Sequence, residues 1–202
     1  MCLCYTSLSG SLYLSPYFSQ LDLSKFYAYE YQSLYGRSGN KDHVIQRQIC
    51  RSYVWNDLLT APIGHSENPK KTLEIGASYG FCSNNLDKIN KGAITAYVLE
   101  PSREQALLIQ QEFTSLKVVD KLDRLHCPVD LVFADHVFEH ITNQFDFLKD
   151  CISSLSSSGI ACFAIPLVEH FDEIGNKPIF QIYTFLTAAI IHIKRSFLLL
   201  TT

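Results

Sequence analysis

Between residues 72 and 165, short β-forming runs alternate with helical ones, and this rhythm limits the folds open to the chain. Runs 72–75, 94–99, 116–119, 129–134 and 160–165 are apolar and read as strands. Segments 81–89, 102–115 and 143–155 read as helices, with Ser102 placed as an N-cap. Run 129–134 is apolar on both faces, as a strand covered by helices on both sides must be. Five short strands joined by helices predict a doubly wound, mostly parallel α/β sheet. In such a sheet ligands sit beyond the carboxyl ends of the strands, near the point where the strand order reverses.

The flanks differ from this core. Residues 1–69 are expected to form an N-terminal helical and aromatic cap segment, with no convincing strands. Tyr13, Tyr17, Phe18, Phe26, Tyr27, Tyr29, Tyr31 and Tyr35 crowd it. Stretch 36–41 reads as a loop. Asp42 is placed to cap a helix carrying Val44, Ile45, Ile49, Tyr53, Val54 and Leu58 at helical spacing. Stretch 62–69 is a turn-rich linker. Residues 70–170 form the core, and residues 171–202 an atypical tail in which 179–185 is a candidate sixth strand. The apolar run 179–200 is interrupted by His192, Lys194 and Arg195. It falls short of the ~18 uninterrupted apolar residues of a spanning helix, so no integral membrane insertion is expected. No basic residue precedes the apolar stretch in 1–19, which therefore does not read as a signal peptide.

At 202 residues with 47% hydrophobic content, the chain has the length and composition of one globular domain. A net charge of -3 gives no pull toward nucleic acid or anionic membrane. The seven cysteines are odd in number and include no C-x-x-C pair, which argues against a zinc ribbon or a disulfide scaffold. They read as thiols of a reducing, cytoplasmic compartment. No metal site is expected, since adjacent His126 and Cys127 have no further ligands at coherent spacing.

Three segments carry chemistry. Glu74-Ile75-Gly76-Ala77-Ser78-Tyr79-Gly80 lies between a strand and a helix, where glycines permit a tight turn and close approach of a ligand to the backbone. Glu100 ends the next strand, 24 positions after Gly76, where a carboxylate can accept both hydroxyl protons of a ribose. Beyond the fourth strand, Asp135, His136, Glu139 and His140 crowd four ionisable side chains into six residues facing the same crevice.

Together these segments resemble the class I S-adenosylmethionine-dependent methyltransferase superfamily, in its group with an "xHVLEHI"-type segment after the fourth strand. The likeness covers roughly residues 70–170 and implies a Rossmann-like fold and S-adenosyl-L-methionine as cofactor. It places Glu74, Gly76, Ala77, Ser78, Tyr79 and Gly80 in the loop for the methionine end. It gives Glu100 the ribose, sets Pro101 and Ser102 beside the adenine, and puts Asp135, His136 and His140 along the sulfonium and the acceptor. Ser78 replaces the middle glycine of the commonest loop. For the adenine-contacting acid, Asp120 is the better candidate and Asp123 the poorer. The family's sheet normally has seven strands, the last two an antiparallel hairpin, whereas the pattern here breaks off after Pro166. Truncation or a shifted reading frame is therefore an expectation, and with it a degenerate fold kept as a binding module.

Two other readings compete. Gly76-Ala-Ser78-Tyr-Gly80 also fits the G-x-S-x-G nucleophile elbow, with Asp130 or Asp135 as acid and His170 or His192 as base. That reading lacks preceding strands and leaves Glu100 without a role. A nicotinamide-binding fingerprint requires G-x-G-x-x-G, and here Ser78 and Phe81 take the second and third glycine positions. For methyl transfer to a small-molecule or sugar/lipid acceptor at oxygen or carbon, His140 is the first candidate base and His136 the second, since imidazole titrates near ~6.5. Glu139 is placed to orient a histidine, to bind a sugar hydroxyl or to serve as a first-turn acid. The tyrosines of residues 13–35 either form a lid over the acceptor or pack as ordinary core.

Overall fold

A computed structural model describes residues 2–5, 12–15, 19–30, 41–60, 71–166 and 188–194. Strands β1 (Cys2–Tyr5) and β2 (Leu12–Ser15) pair antiparallel as a separate two-stranded ribbon. This corrects the expectation of a strand-free N-terminus. Helix α1 (Gln20–Lys25) starts at Ser19, whose side chain accepts from the Asp22 amide, and runs into a π-helical turn, Phe26–Glu30. Helix α2 spans Lys41–Thr60.

The core alternates as expected: β3 (Lys71–Ile75), α3 (Phe81–Ile89), β4 (Thr95–Leu99), α4 (Arg103–Glu112), β5 (Lys117–Val119), β6 (Val129–Asp135), α5 (Gln144–Ser153) and β7 (Leu155–Pro166). The helices begin where side chains can cap them. Ser102 accepts from the Gln105 amide and Asn143 from the Asp146 amide. β7 begins five residues earlier than the apolar run suggested, taking Leu155 from the expected helix.

The sheet order is β5-β4-β3-β6-β7-β8, and the first five strands are parallel. Strand β8 (Ala188–Lys194) pairs antiparallel with β7, setting His192 opposite Cys162. The sixth strand is thus formed by part of the tail whose pattern matched nothing. The candidate strand 179–185, the loop 36–40, the linker 62–69, His170, and Tyr17, Phe18, Tyr31 and Tyr35 lie outside the described residues.

Side chains alternate across the sheet. Leu131 and Phe133 point to the face covered by Trp55 of α2, Leu86 of α3 and Ile109 of α4. Val132, Ala134 and Phe163 point to the face covered by Cys151 and Phe147 of α5. Phe133 and Phe163 are at most 1% exposed, so each contributes roughly 2–3 kcal/mol of burial. The strand order reverses between β3 and β6, which opens a crevice at their carboxyl ends.

The docked face of α2 matches the expected stripe only in part: Val44, Ile45 and Ile49 are half-buried. Tyr53 and Val54 are exposed, while Ser52 and Trp55 are buried. Trp55 packs against Phe133, with ring centroids 5.1 Å apart. Ser52 accepts a 2.7 Å hydrogen bond from Asn85 of α3, and Asn56 accepts one from Asn90. Polar pairs contribute to this interface, so the apolar stripe misplaces Tyr53 and Val54 and passes over Ser52.

Candidate functional site

The turn after β3 is built on positive φ. Gly76 (φ +72°), Ser78 (φ +52°) and Gly80 (φ +75°) all adopt the left-handed region. At Gly76 a Cβ atom would lie 2.4 Å from Cγ2 of Val137, so the turn presses directly on the segment after β6. The Gly76 amide donates to the Leu99 carbonyl at 2.8 Å, tying the turn to the end of β4.

Glu100 follows at once. Its Oε2 accepts from the Ser78 amide at 2.7 Å and its Oε1 from the Ser102 amide at 2.9 Å. Burial outweighs the pull of these two amides and raises its carboxyl to about 7. The carboxylate thus joins the β3 turn to the start of α4. Ser102 is buried beside it and Pro101 is exposed. Asp120 lies across a groove of about 460 Å³ that Glu100 also lines, together with Arg103, Arg124 and His126. It is paired with Arg124 at 3.2 Å, and Asp123 does not line the groove.

Glu74 is turned inward. Its Oε2 accepts from the amide and the hydroxyl of Ser83, and burial pushes its carboxyl up to about 7. It fastens the first turn of α3 to β3. Ala77 is fully buried, and its carbonyl accepts from Gln48 Nε2 at 3.2 Å. The same Gln48 accepts from the Phe81 amide at 3.3 Å. Gly80 has no side chain with which to cap α3, so α2 supplies the cap from outside. Tyr79 is half-buried, with Lys41 Nζ 5.3 Å from its ring centroid.

The cluster after β6 is also brought to this crevice. His136 adopts φ +55° and donates its amide to the Ala164 carbonyl at 2.9 Å. Its Nδ1 lies 3.2 Å from Glu139 Oε1, and its Nε2 lies 4.0 Å from Asp135 Oδ1. Asp135 Oδ2 is paired with Arg51 of α2. Phe138–His140 forms a 3-10 turn instead of the start of a helix. His140 is exposed by area, and its ring lies 5.8 Å, centroid to centroid, from that of Tyr27. Partial desolvation lowers its pKa below 6.5, Glu139 opposes that shift, and His136 adds to it. Of the tyrosines considered as a lid, Tyr27 reaches His140, whereas Tyr29 is 77% exposed.

Sequence reasoning missed Gln48, Arg51 and Ser83. Glu74 and Ser83 are nine residues apart, bridging strand and helix. Gln48 and Arg51 share one face of α2 at i, i+3 spacing, but nothing local to α2 marks that face as the one that docks.

Asp130, offered as the acid of a serine hydrolase, accepts from the Lys71 amide and the Ser156 hydroxyl. Those partners stand at the start of β3 and β7, the opposite end of the sheet from Ser78. This removes Asp130 from that constellation.

The strand order, the turn and the acid at the end of β4 together decide the architecture. The fold is the Rossmann-like methyltransferase fold. Solved structures with this methyltransferase fold include the plantazolicin methyltransferase BamL in complex with a triazolic desmethylPZN analog and SAH. Its TM-score is 0.60 at 13% identity, over 78% of this chain and 60% of that one. The plantazolicin methyltransferase BpumL with a monoazolic analog and SAH also has a TM-score of 0.60 at 13% identity, over 81% of this chain and 65% of that one. The chain thus spans 60% to 65% of the length of these two proteins. No family model matches the sequence, and no curated protein matches it. Among the described residues there is no cluster suited to a metal ion, and no helix is long and apolar enough to cross a membrane.

Proposed function

We propose that the chain carries out S-adenosylmethionine-dependent methyl transfer to a small-molecule or sugar/lipid acceptor, at oxygen or carbon. The observation that carries this reading is Glu100, held by the Ser78 and Ser102 amides beside the β3 turn of a methyltransferase fold. Each of its oxygens accepts one N–H and keeps a second lone pair, so the residues fit a ribose diol. The Gly76–Gly80 turn receives the methionine end, and Asp120 borders the adenine across the shared groove.

When bound, the cofactor supplies a methyl group on a positively charged sulfur. The protein's part is to align the acceptor, exclude water and accept a proton. His140 is the base, with His136 held by Glu139 in a supporting place. The lowered pKa keeps the His140 imidazole neutral at pH 7 and so able to accept that proton. Cys50, Cys82, Cys127, Cys151 and Cys162 are free thiols, in keeping with the reducing, cytoplasmic setting proposed here.

Calorimetry with S-adenosylmethionine and S-adenosylhomocysteine (SAH) tests the cofactor assignment. Glu100→Ala is expected to weaken both by at least about 100-fold, as loss of two charge-assisted hydrogen bonds implies. A folded chain that binds neither ligand contradicts the assignment. Under saturating cofactor, His140→Ala is expected to lower kcat about 100-fold without changing SAH affinity, and full turnover by that variant removes the base.

A further inference from the structure

Helix α2 grips the β3 turn at two backbone atoms, and one side chain makes both contacts. Gln48 Nε2 donates to the Ala77 carbonyl at 3.2 Å, and Gln48 Oε1 accepts from the Phe81 amide at 3.3 Å. Ser78, Tyr79 and Gly80 lie between those two atoms, and Ser78 (φ +52°) and Gly80 (φ +75°) are left-handed. The Ala77 carbonyl also accepts from the Gly80 amide at 2.8 Å, so the turn and the Gln48 clip share one oxygen. From the same helix, Lys41 Nζ lies 5.3 Å from the centroid of the Tyr79 ring, a second hold on the same stretch.

The clip matters because of what the turn holds. Glycine takes positive φ freely, but a left-handed serine persists only where its surroundings over-determine it. In this conformation the Ser78 amide donates to Glu100 Oε2 at 2.7 Å. Relaxation of Ser78 to negative φ would reorient the peptide plane between Ala77 and Ser78, and with it the N–H that Glu100 receives. Gln48 fixes the carbonyl just before Ser78 and the amide just after Gly80. Both ends of the left-handed stretch are therefore pinned from outside the strand-turn-helix unit.

We propose that Gln48 is a positioning residue for the site: by pinning both ends of the left-handed stretch it sets the Ser78 amide, and through it the Glu100 carboxylate. Both ends of its own carboxamide are used on backbone groups, so it acts through the turn and Glu100. The consequence for cofactor affinity rests on the cofactor reading above, whereas the consequence for Glu100 does not.

The test compares two variants of the full chain. Gln48→Met keeps the length of the side chain and loses both contacts, while Asn90→Ala removes the bond to Asn56 that holds α2 to α3 away from the turn. In a carbon-detected NMR titration without ligand, the Glu100 carboxyl of Gln48→Met should titrate about one pH unit higher than in the parent chain, because an amide that favours its charged form is lost. Asn90→Ala should leave that titration in place. By calorimetry, Gln48→Met is expected to weaken SAH about 10-fold and Asn90→Ala to leave it within about twofold. An unchanged Glu100 titration in Gln48→Met overturns the proposal. Equal losses of SAH affinity in the two variants make Gln48 a prop for the helix and overturn it as well. A parent chain that binds no SAH overturns the cofactor reading, and the Glu100 titration then still decides the role of Gln48. Should Gln48→Met lose its cooperative melting transition, hydrogen exchange of the parent chain decides. The Ser78 and Phe81 amides should open together with equal protection, and a Phe81 amide that exchanges far faster than Ser78 contradicts the clip.

Discussion

At the end of β4, Glu100 is held by the amides of Ser78 and Ser102, groups within the strand-turn-helix units on either side of it. At the end of β6, Asp135 is held by Arg51, 84 residues earlier in the chain. One half of the crevice is therefore built from local backbone geometry, and the other from the docking of a helix. The first half needs the turn to close, with Gln48 of α2 bracing only its Ala77 carbonyl and the Phe81 amide. The second needs α2 seated through Gln48, Ser52 and Trp55 before its charges are in place.

The largest effect that separates the two halves is expected at Gly76. An alanine there meets Val137 at 2.4 Å and must also hold φ +72°. Together these cost about 3 kcal/mol or more. Urea unfolding checks this, and adding Val137→Ala should recover the steric part but not the backbone part. An unchanged midpoint for Gly76→Ala would show that the turn is not the rigid half.

A middle-sized effect concerns pH. The carboxyls of Glu74 and Glu100 are both pushed from 4.5 up to about 7, chiefly by burial. The folded chain keeps protons that the unfolded chain releases, so their stabilising contribution is complete below about pH 4.5 and is lost as pH rises through about 7. His140 acts in the opposite sense as pH falls through its lowered pKa. The cleaner measurement is therefore Glu100→Gln against the parent chain, at pH 5 and pH 8. The variant should lose less stability over that interval, and identical slopes would contradict the assigned shift. SAH affinity should also rise through about pH 7 as Glu100 ionises.

The smallest effect has the opposite sign. Ser78 holds φ +52° and His136 holds φ +55°. Ser78→Gly relieves a left-handed residue and should gain about 0.5 kcal/mol after the entropy lost to glycine. His136→Gly relieves a similar strain but removes the contact to Glu139, so it should gain nothing. Thermal melts of the two variants compare the halves directly, and an equal gain for both would erase the distinction.

This division also explains what the sequence made legible. The strand-helix alternation, the turn and Glu100 are visible because local spacing sets them. Asp135, His136, Glu139 and His140 were visible as a cluster, but their partners were not. Arg51 and Gln48 are polar residues on the docked face of α2, where an apolar stripe of Val44, Ile45 and Ile49 gives them no mark, and two of its expected members, Tyr53 and Val54, face solvent. Glu74 was grouped with the turn by proximity, yet its carboxylate faces Ser83 and fastens α3. The antiparallel β8 could not be read because the pattern of its tail is decided by pairing with β7, a contact between distant residues.

The most direct test of the central claim is an SAH titration of the isotope-labelled chain followed by amide resonances. The amides of Gly76, Ser78, Ser102 and His136 should shift together with one Kd, while those of Val129 and Ser156, at the other end of the sheet, stay fixed. Saturable binding that moves only the far end, or no movement at Ser78 and Ser102, would contradict a cofactor site built on Glu100.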